Sequence, residues 1–89
     1  MRYTIEFADS FSPKQLRGIP PGIVREIQEA IDEKLTRAPE VFGKPLRFAL
    51  QGCRRLRVGD YRVIFQIRDS TVIILDIAHR SIIYKGRGK

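Results

Sequence analysis

Hydrophobic positions along this chain change period as it proceeds. Between Arg2 and Ala8, Tyr3, Ile5 and Phe7 alternate with Arg2, Thr4 and Glu6, the pattern of a half-buried strand. Ile23, Ile27, Ile31 and Leu35 then recur every fourth residue, with Val24 and Ala30 beside them. That stripe predicts an amphipathic helix of about four turns. From Leu56 the period returns to two. Leu56 and Val58 share a face, and so do Tyr61, Val63, Phe65 and Ile67, leaving Arg62 and Arg68 pointing the other way. Val72 to Ala78 is nearly all apolar, as in a strand covered on both sides.

The breaks between these runs carry their own signals. Ser12, Pro13 and Gln15 spell a capping box with proline at the first helical position, opening a short helix to about Arg17 that Gly18 ends. Ala38-Pro39 stops the long helix, because a residue before proline avoids the helical region. Glu40 to Gln51 reads as a connection with room for one helical turn. Gly59-Asp60 and Asp69-Ser70 are tight-turn dipeptides, so the last three runs form an antiparallel meander. Ile82-Ile83-Tyr84 is short enough to be a terminal strand, and Gly86 to Lys89 reads as a frayed basic tail. Alternation places Ile73, Leu75 and Ile77 on one face of their strand, with Asp76 and Ala78 on the other. The order is β-α-α-β-β-β: an α+β domain, with a small antiparallel sheet of four or five strands and two helices on one face.

At 89 residues with 43% hydrophobic content, the chain suffices for a single domain with one core, 1–89. A lone cysteine, Cys53, gives no internal disulfide and no zinc-ligand spacing, and reads as a small apolar side chain. No apolar leader or 18-residue apolar span occurs in the sequence, so a cytoplasmic location is expected. No cofactor or metal is expected.

Charge changes the picture more. The chain carries a formal +7, and its halves differ. Residues 1–43 hold six basic and seven acidic side chains; residues 44–89 hold eleven basic and three acidic, eight of the eleven being arginine. The excess therefore sits on the sheet-forming half. If the helices cover one face, the other carries Arg55, Arg57, Arg62 and Arg68, with Arg80 following. Such a face points to nucleic acid or an acidic protein partner, and arginine is the better phosphate fork.

The strings LRVGDYRVIFQI and VIILDIAHRSIIY resemble the RelE/ParE superfamily of toxins from bacterial and archaeal toxin–antitoxin modules. The likeness spans nearly the whole chain: opening strand, helices ending at Ala38-Pro39, the Gly-Asp-Tyr-Arg hairpin, and the closing His-Arg-x-x-x-Tyr. It implies a sheet with two helices packed on it, akin to microbial ribonucleases, and a cognate antitoxin. In the RelE branch it implies a ribosome-dependent endoribonuclease acting on messenger RNA. The family's catalytic residues fall on Arg62, Arg80 and Tyr84, and its pre-hairpin basic residues on Arg55 and Arg57. The ParE branch shares the hairpin but acts on DNA gyrase. A degenerate toxin serving as co-repressor is a third reading. The chain departs from the RelE pattern in having arginine and Cys53 where lysine is frequent before the hairpin.

Attack of a 2′-hydroxyl on its neighbouring phosphate needs a base, an acid and cations for the developing charge. Arg62 and Arg80 suit the last role as permanently charged forks. His79 is the one side chain whose ordinary pKa lies near neutrality, and is the acid–base candidate, or else a structural histidine at a strand end. Tyr84 could donate a proton or stack on a base. Arg55, Arg57, Arg68 and Lys85 would hold RNA backbone. Arg62 is expected outside the core, so its loss should cost activity rather than stability.

Overall fold

The computed structural model describes residues 2–47 and 52–82. Five strands form one sheet in the order β1-β5-β4-β3-β2. They are β1 (Thr4–Phe7), β2 (Lys44–Pro45), β3 (Arg54–Val58), β4 (Tyr61–Arg68) and β5 (Thr71–His79). A 3₁₀ turn (Pro13–Leu16) and helix α1 (Pro21–Ala30) follow β1. A π-helical turn (Ile31–Leu35) extends α1, and a short helix α2 (Pro39–Phe42) precedes β2. The meander β3-β4-β5 is antiparallel as the turn signals require, and β2 pairs antiparallel with β3. The opening strand adds a parallel edge, pairing Thr4 with Thr71 through Phe7 with Ile74, so the sheet is mixed.

Local chemistry accounts for these elements. Ser12 and Gln15 close the capping box, with Gln15 Oε1 accepting from the Ser12 N–H at 2.6 Å. Val58 pairs with Tyr61 across Gly59-Asp60, and Gly59 takes φ 61°, the left-handed first position of a two-residue hairpin loop. Asp69 takes φ 56° at the same place in the next hairpin. The long helix needs its π turn. An α-helix advances about 100° per residue, so an every-fourth-residue stripe drifts about 40° per step. The wider final turn pulls the stripe back. Ile27, Ile31 and Leu35 thereby all stay buried against Leu56, Val63, Phe65, Val72, Ile74 and Ile77.

The register of β5 departs from strict alternation. Ile64 pairs with Asp76, but Phe65 pairs with Ile74, so Leu75 is an extra residue in a β-bulge. The core face of β5 is consequently Val72, Ile74 and Ile77, not Ile73, Leu75 and Ile77. The bulge also marks the end of β1. The Ala8 N–H donates to the Ile74 carbonyl at 2.9 Å, and the 3₁₀ turn takes over beside the rest of β5. Gln15 Nε2 fastens it there by donating to Asp76 Oδ1 at 2.6 Å.

The face away from the helices is not a bare arginine surface. Cys53 and fully buried Ile64 pack there with Leu46, Leu75 and Ala78 in a second apolar cluster. Gln66 Nε2 donates to Cys53 Sγ at 3.7 Å. The Glu40–Gln51 connection contains α2 and β2, while residues 48–51 lie outside the described residues. The terminal run is helical over 80–82 rather than extended; Ile83 and Tyr84 are outside the described residues.

Two predictions test this packing. A Cβ on Gly43 would overlap the ring of Phe65, which fills the core beneath β2. Gly43→Ala should cost about 1–3 kcal/mol in chemical denaturation, the usual range for overpacking; an unchanged midpoint would mean the contact is loose. The second concerns acid. The Tyr3 hydroxyl donates to Glu40 Oε2 at 2.7 Å, tying the start of β1 to α2. That bond, then Glu40's own backbone N–H and the Arg54 charge, hold the Glu40 carboxyl below its ordinary value of 4.5. A carboxyl lowered on folding contributes stability above its unfolded pKa and loses it as pH falls below. Thermal melts between about pH 6 and pH 3 should therefore fall more steeply for the wild type than for Tyr3→Phe. Parallel curves would remove Glu40 from the acid response.

Candidate nucleic-acid interface

The sheet edge at β3 gathers cations. β2 is two residues long and pairs only with Arg54 and Arg55. Its Lys44 stands opposite Arg55, so the two share a side of the sheet. Lys34 comes from the π turn. Together Lys34, Phe42, Lys44, Arg55, Leu56 and Arg57 line a shallow pocket of about 140 Å³. Four of the six are cations and none is a carboxylate. The Lys34 ammonium sits 5.7 Å from the centroid of the Phe42 ring, within cation–π range. Arg57 is exposed and Arg55 half-buried. Sequence reading found Arg55 and Arg57; it missed Lys34 and Lys44, because they lie far from the hairpin motif in sequence.

Arg54 does different work beside them. Its Nη1 donates to the Gly43 carbonyl at 2.8 Å and the Glu40 carbonyl at 3.3 Å. It therefore locks the end of α2 against β3.

Arg62 is the main correction. It lies between Arg57 and Ala78 in the sheet and is only 4% exposed. Its Nη1 donates to the carbonyls of Gly59 at 2.9 Å and Tyr61 at 3.0 Å, and its Nε is buried with no partner among the described residues. The alternation correctly turned Arg62 from the main core. It is buried all the same, beside Ala78 and on the hairpin carbonyls, so the expectation of an open, solvent-facing side chain fails. In this arrangement Arg62 braces the hairpin loop.

The remaining candidates divide between places. Arg80 is exposed and opens the 80–82 helical turn; its N–H donates to the Asp60 carbonyl at 2.9 Å, so its backbone is pinned to the braced hairpin. His79 does not join the cations. It pairs with Tyr61, whose ring packs on the core, and the two rings meet edge to face at 5.4 Å. The Ser81 N–H donates to His79 Nδ1 at 3.2 Å, which leaves the proton of a neutral ring on Nε2. His79 thus acts as a cap on the turn that carries Arg80. Arg68 lies at the far end of β4, paired with Thr71. Six residues of strand separate it from Arg62, about 20 Å, so it is not in the same cradle. Tyr84 and Lys85 lie outside the described residues. Among the described residues no group of three or more His, Cys, Asp and Glu is arranged to hold a metal, and no helix is long and apolar enough to cross a membrane.

Comparison with known proteins places this geometry. Residues 7–84 match the family model of the ParE toxin of the type II toxin–antitoxin system parDE. The chain belongs to the RelE/ParE superfamily of toxin–antitoxin toxins. Within it, the chain is 38% identical over 87 residues to Toxin RelG of Mycobacterium tuberculosis (strain ATCC 25618 / H37Rv), covering 96% of this chain and 99% of that one. It is also 38% identical over 74 residues to Toxin RelE of the same organism, covering 81% and 76% respectively. Among solved structures, the RelBE2 toxin–antitoxin complex from Mycobacterium tuberculosis superposes with a TM-score of 0.79 at 36% identity, over 90% of this chain and 100% of that chain. The free Escherichia coli toxin RelE mutant shares the fold, with a TM-score of 0.71 at 19% identity, over 99% and 96%. The expected α+β toxin fold is thereby established for this chain.

The Arg62 geometry makes a measurable claim. Arg62→Ala should lower folding stability by about 2 kcal/mol, from two lost charge-assisted hydrogen bonds and a cavity, offset in part by release of a buried charge. Arg62→Met should lose less, because it refills the volume. Wild-type stability in the alanine variant would show that the hairpin needs no brace.

Proposed function

We propose that this toxin is an endoribonuclease that cuts messenger RNA on the ribosome and so inhibits translation. The observation carrying this reading is the cation-lined pocket at the β3 edge, continuous with exposed Arg57. The high identity to toxins named RelG and RelE supports the RelE branch. Arg55 and Arg57 hold the RNA backbone and neutralise charge that develops on the phosphorane as the 2′-hydroxyl oxygen attacks phosphorus and the 5′-oxygen leaves. Such preorganised donors are worth roughly 3–4 kcal/mol each in a water-poor site. Arg80, exposed on the pinned turn, adds a third cation, and Tyr84 supplies a proton or a stacking surface. Lys85 holds RNA backbone in this reading, and Arg68, at the far end of β4, contributes only longer-range charge. The chemistry needs no metal in this reading. Proton transfer is not assigned to His79, whose ring serves Tyr61 and Ser81, and Arg62 supports the loop rather than touching RNA.

The solved RelBE2 relative is a toxin–antitoxin complex. By the same family logic this chain has a cognate antitoxin, and it acts in the cytoplasm, where messenger RNA is translated. The match to the ParE family model favours one second reading: a toxin that inhibits DNA gyrase and cleaves nothing.

A translation extract programmed with a defined message separates the two. Site-specific cleavage on ribosomes is expected, with Arg57→Gln slowing it about 10²–10³-fold, the usual loss for one transition-state donor. Gyrase inhibition without any cleavage would replace the nuclease reading.

A further inference from the structure

The geometry points to a second phosphate subsite on this toxin, built by Lys34 and Lys44, with Phe42 as the residue that positions Lys34. It rests on the RNA-binding reading and extends it past the residues that reading uses. Three separate segments converge here: the π turn supplies Lys34, α2 supplies Phe42, and β2 supplies Lys44. Nothing in the core requires this. Phe42 is 45% exposed and is not one of the hydrophobic side chains packed into either buried cluster. It holds the Lys34 ammonium over its face at 5.7 Å, which restricts a side chain otherwise free to sample many rotamers. The immobilised ammonium, the Lys44 ammonium across the pocket, and the Arg55 and Arg57 guanidiniums leave a space of about 140 Å³. That is too small for a drug-sized ligand, whose pockets run to roughly 300 Å³ or more, and suits neighbouring phosphates of one strand, the scissile one on the Arg55–Arg57 side and the next on the Lys34–Lys44 side. None of the six described lining residues is a carboxylate and four are cations, so the lining favours an anion. Arg57 lies on the proposed RNA track, and Lys34 and Lys44 lie at the sheet edge beyond it. The subsite therefore takes a phosphate flanking the scissile one, and a strand bound here leaves the sheet over the β2–β3 edge.

The experiment is a salt titration of binding between the full chain and a short single-stranded oligoribonucleotide, read by fluorescence anisotropy. The variant Lys34→Gln with Lys44→Gln should bind about tenfold more weakly near 0.2 M salt, with a log–log salt slope shallower by about 1.4, from two contacts at about 0.7 each. Lys34→Arg should keep the wild-type slope. Phe42→Leu should weaken binding several-fold although the formal charge is unchanged. Should the double variant fold poorly, Lys44→Gln alone should remove about 0.7 from the slope. A wild-type slope in the lysine variants, with binding still lost in Arg55→Gln and Arg57→Gln, overturns the subsite and leaves the RNA reading standing. Absence of salt-dependent RNA binding in the wild type overturns both. If a polyglutamate peptide of matched charge binds as tightly, with the same dependence on Lys34 and Lys44, the pocket takes an acidic protein segment and the phosphate assignment is wrong.

Discussion

Like charges repel, and four cations around one small pocket stay together only because a rigid scaffold holds them. Two unit charges 4 Å apart cost about 1 kcal/mol in water and several-fold more where protein lowers the dielectric. The scaffold here is specific. Gly43 lets the backbone before β2 settle onto the Phe65 ring, which no other side chain would permit. Arg54 clamps α2 to β3 through two carbonyls. The π turn keeps Ile31 and Leu35 buried on either side of Lys34. Each of these restraints lies on the helix side or the edge of the sheet, so the main core stabilises an arrangement that electrostatics alone would disperse.

The sheet separates two kinds of work. Its helix side holds the large core and His79, whose ring is committed to Tyr61 and Ser81. Its other side holds a small apolar cluster around Ile64 and the braced Arg62. The hairpin between them transmits position: Arg62 holds the Gly59 and Tyr61 carbonyls, and the neighbouring Asp60 carbonyl holds the Arg80 N–H. A buried arginine in this chain thus sets where an exposed one stands.

Much of this was legible in sequence where the signal is local. Ser12 and Gln15 announced their capping box, the isoleucine stripe its helix, and Gly59-Asp60 its hairpin, because each depends on neighbours within a turn. What alternation could not show was the bulge at Leu75, which shifts one residue out of step and exchanges Ile74 for Ile73 and Leu75 in the core. Arg62 was misjudged for a related reason. Periodicity assigns a face but not how a side chain is held there, and Arg62 is buried with its guanidinium on the Gly59 and Tyr61 carbonyls of its own hairpin. Lys34 and Lys44 were invisible as a pair since only the tertiary fold brings the π turn beside β2. The parallel pairing of β1 with β5 is likewise a long-range fact that no local pattern encodes.

The central claim is that RNA meets this toxin at the β3 edge. Amide and side-chain NMR shifts recorded while a single-stranded oligoribonucleotide is added to the full chain test it most directly. Perturbations should centre on Lys34, Phe42, Lys44, Arg55 and Arg57 and fade toward Arg68 and Phe7. Shifts that centre instead on the β1–α1 side, or spread evenly over every exposed cation, would contradict the account.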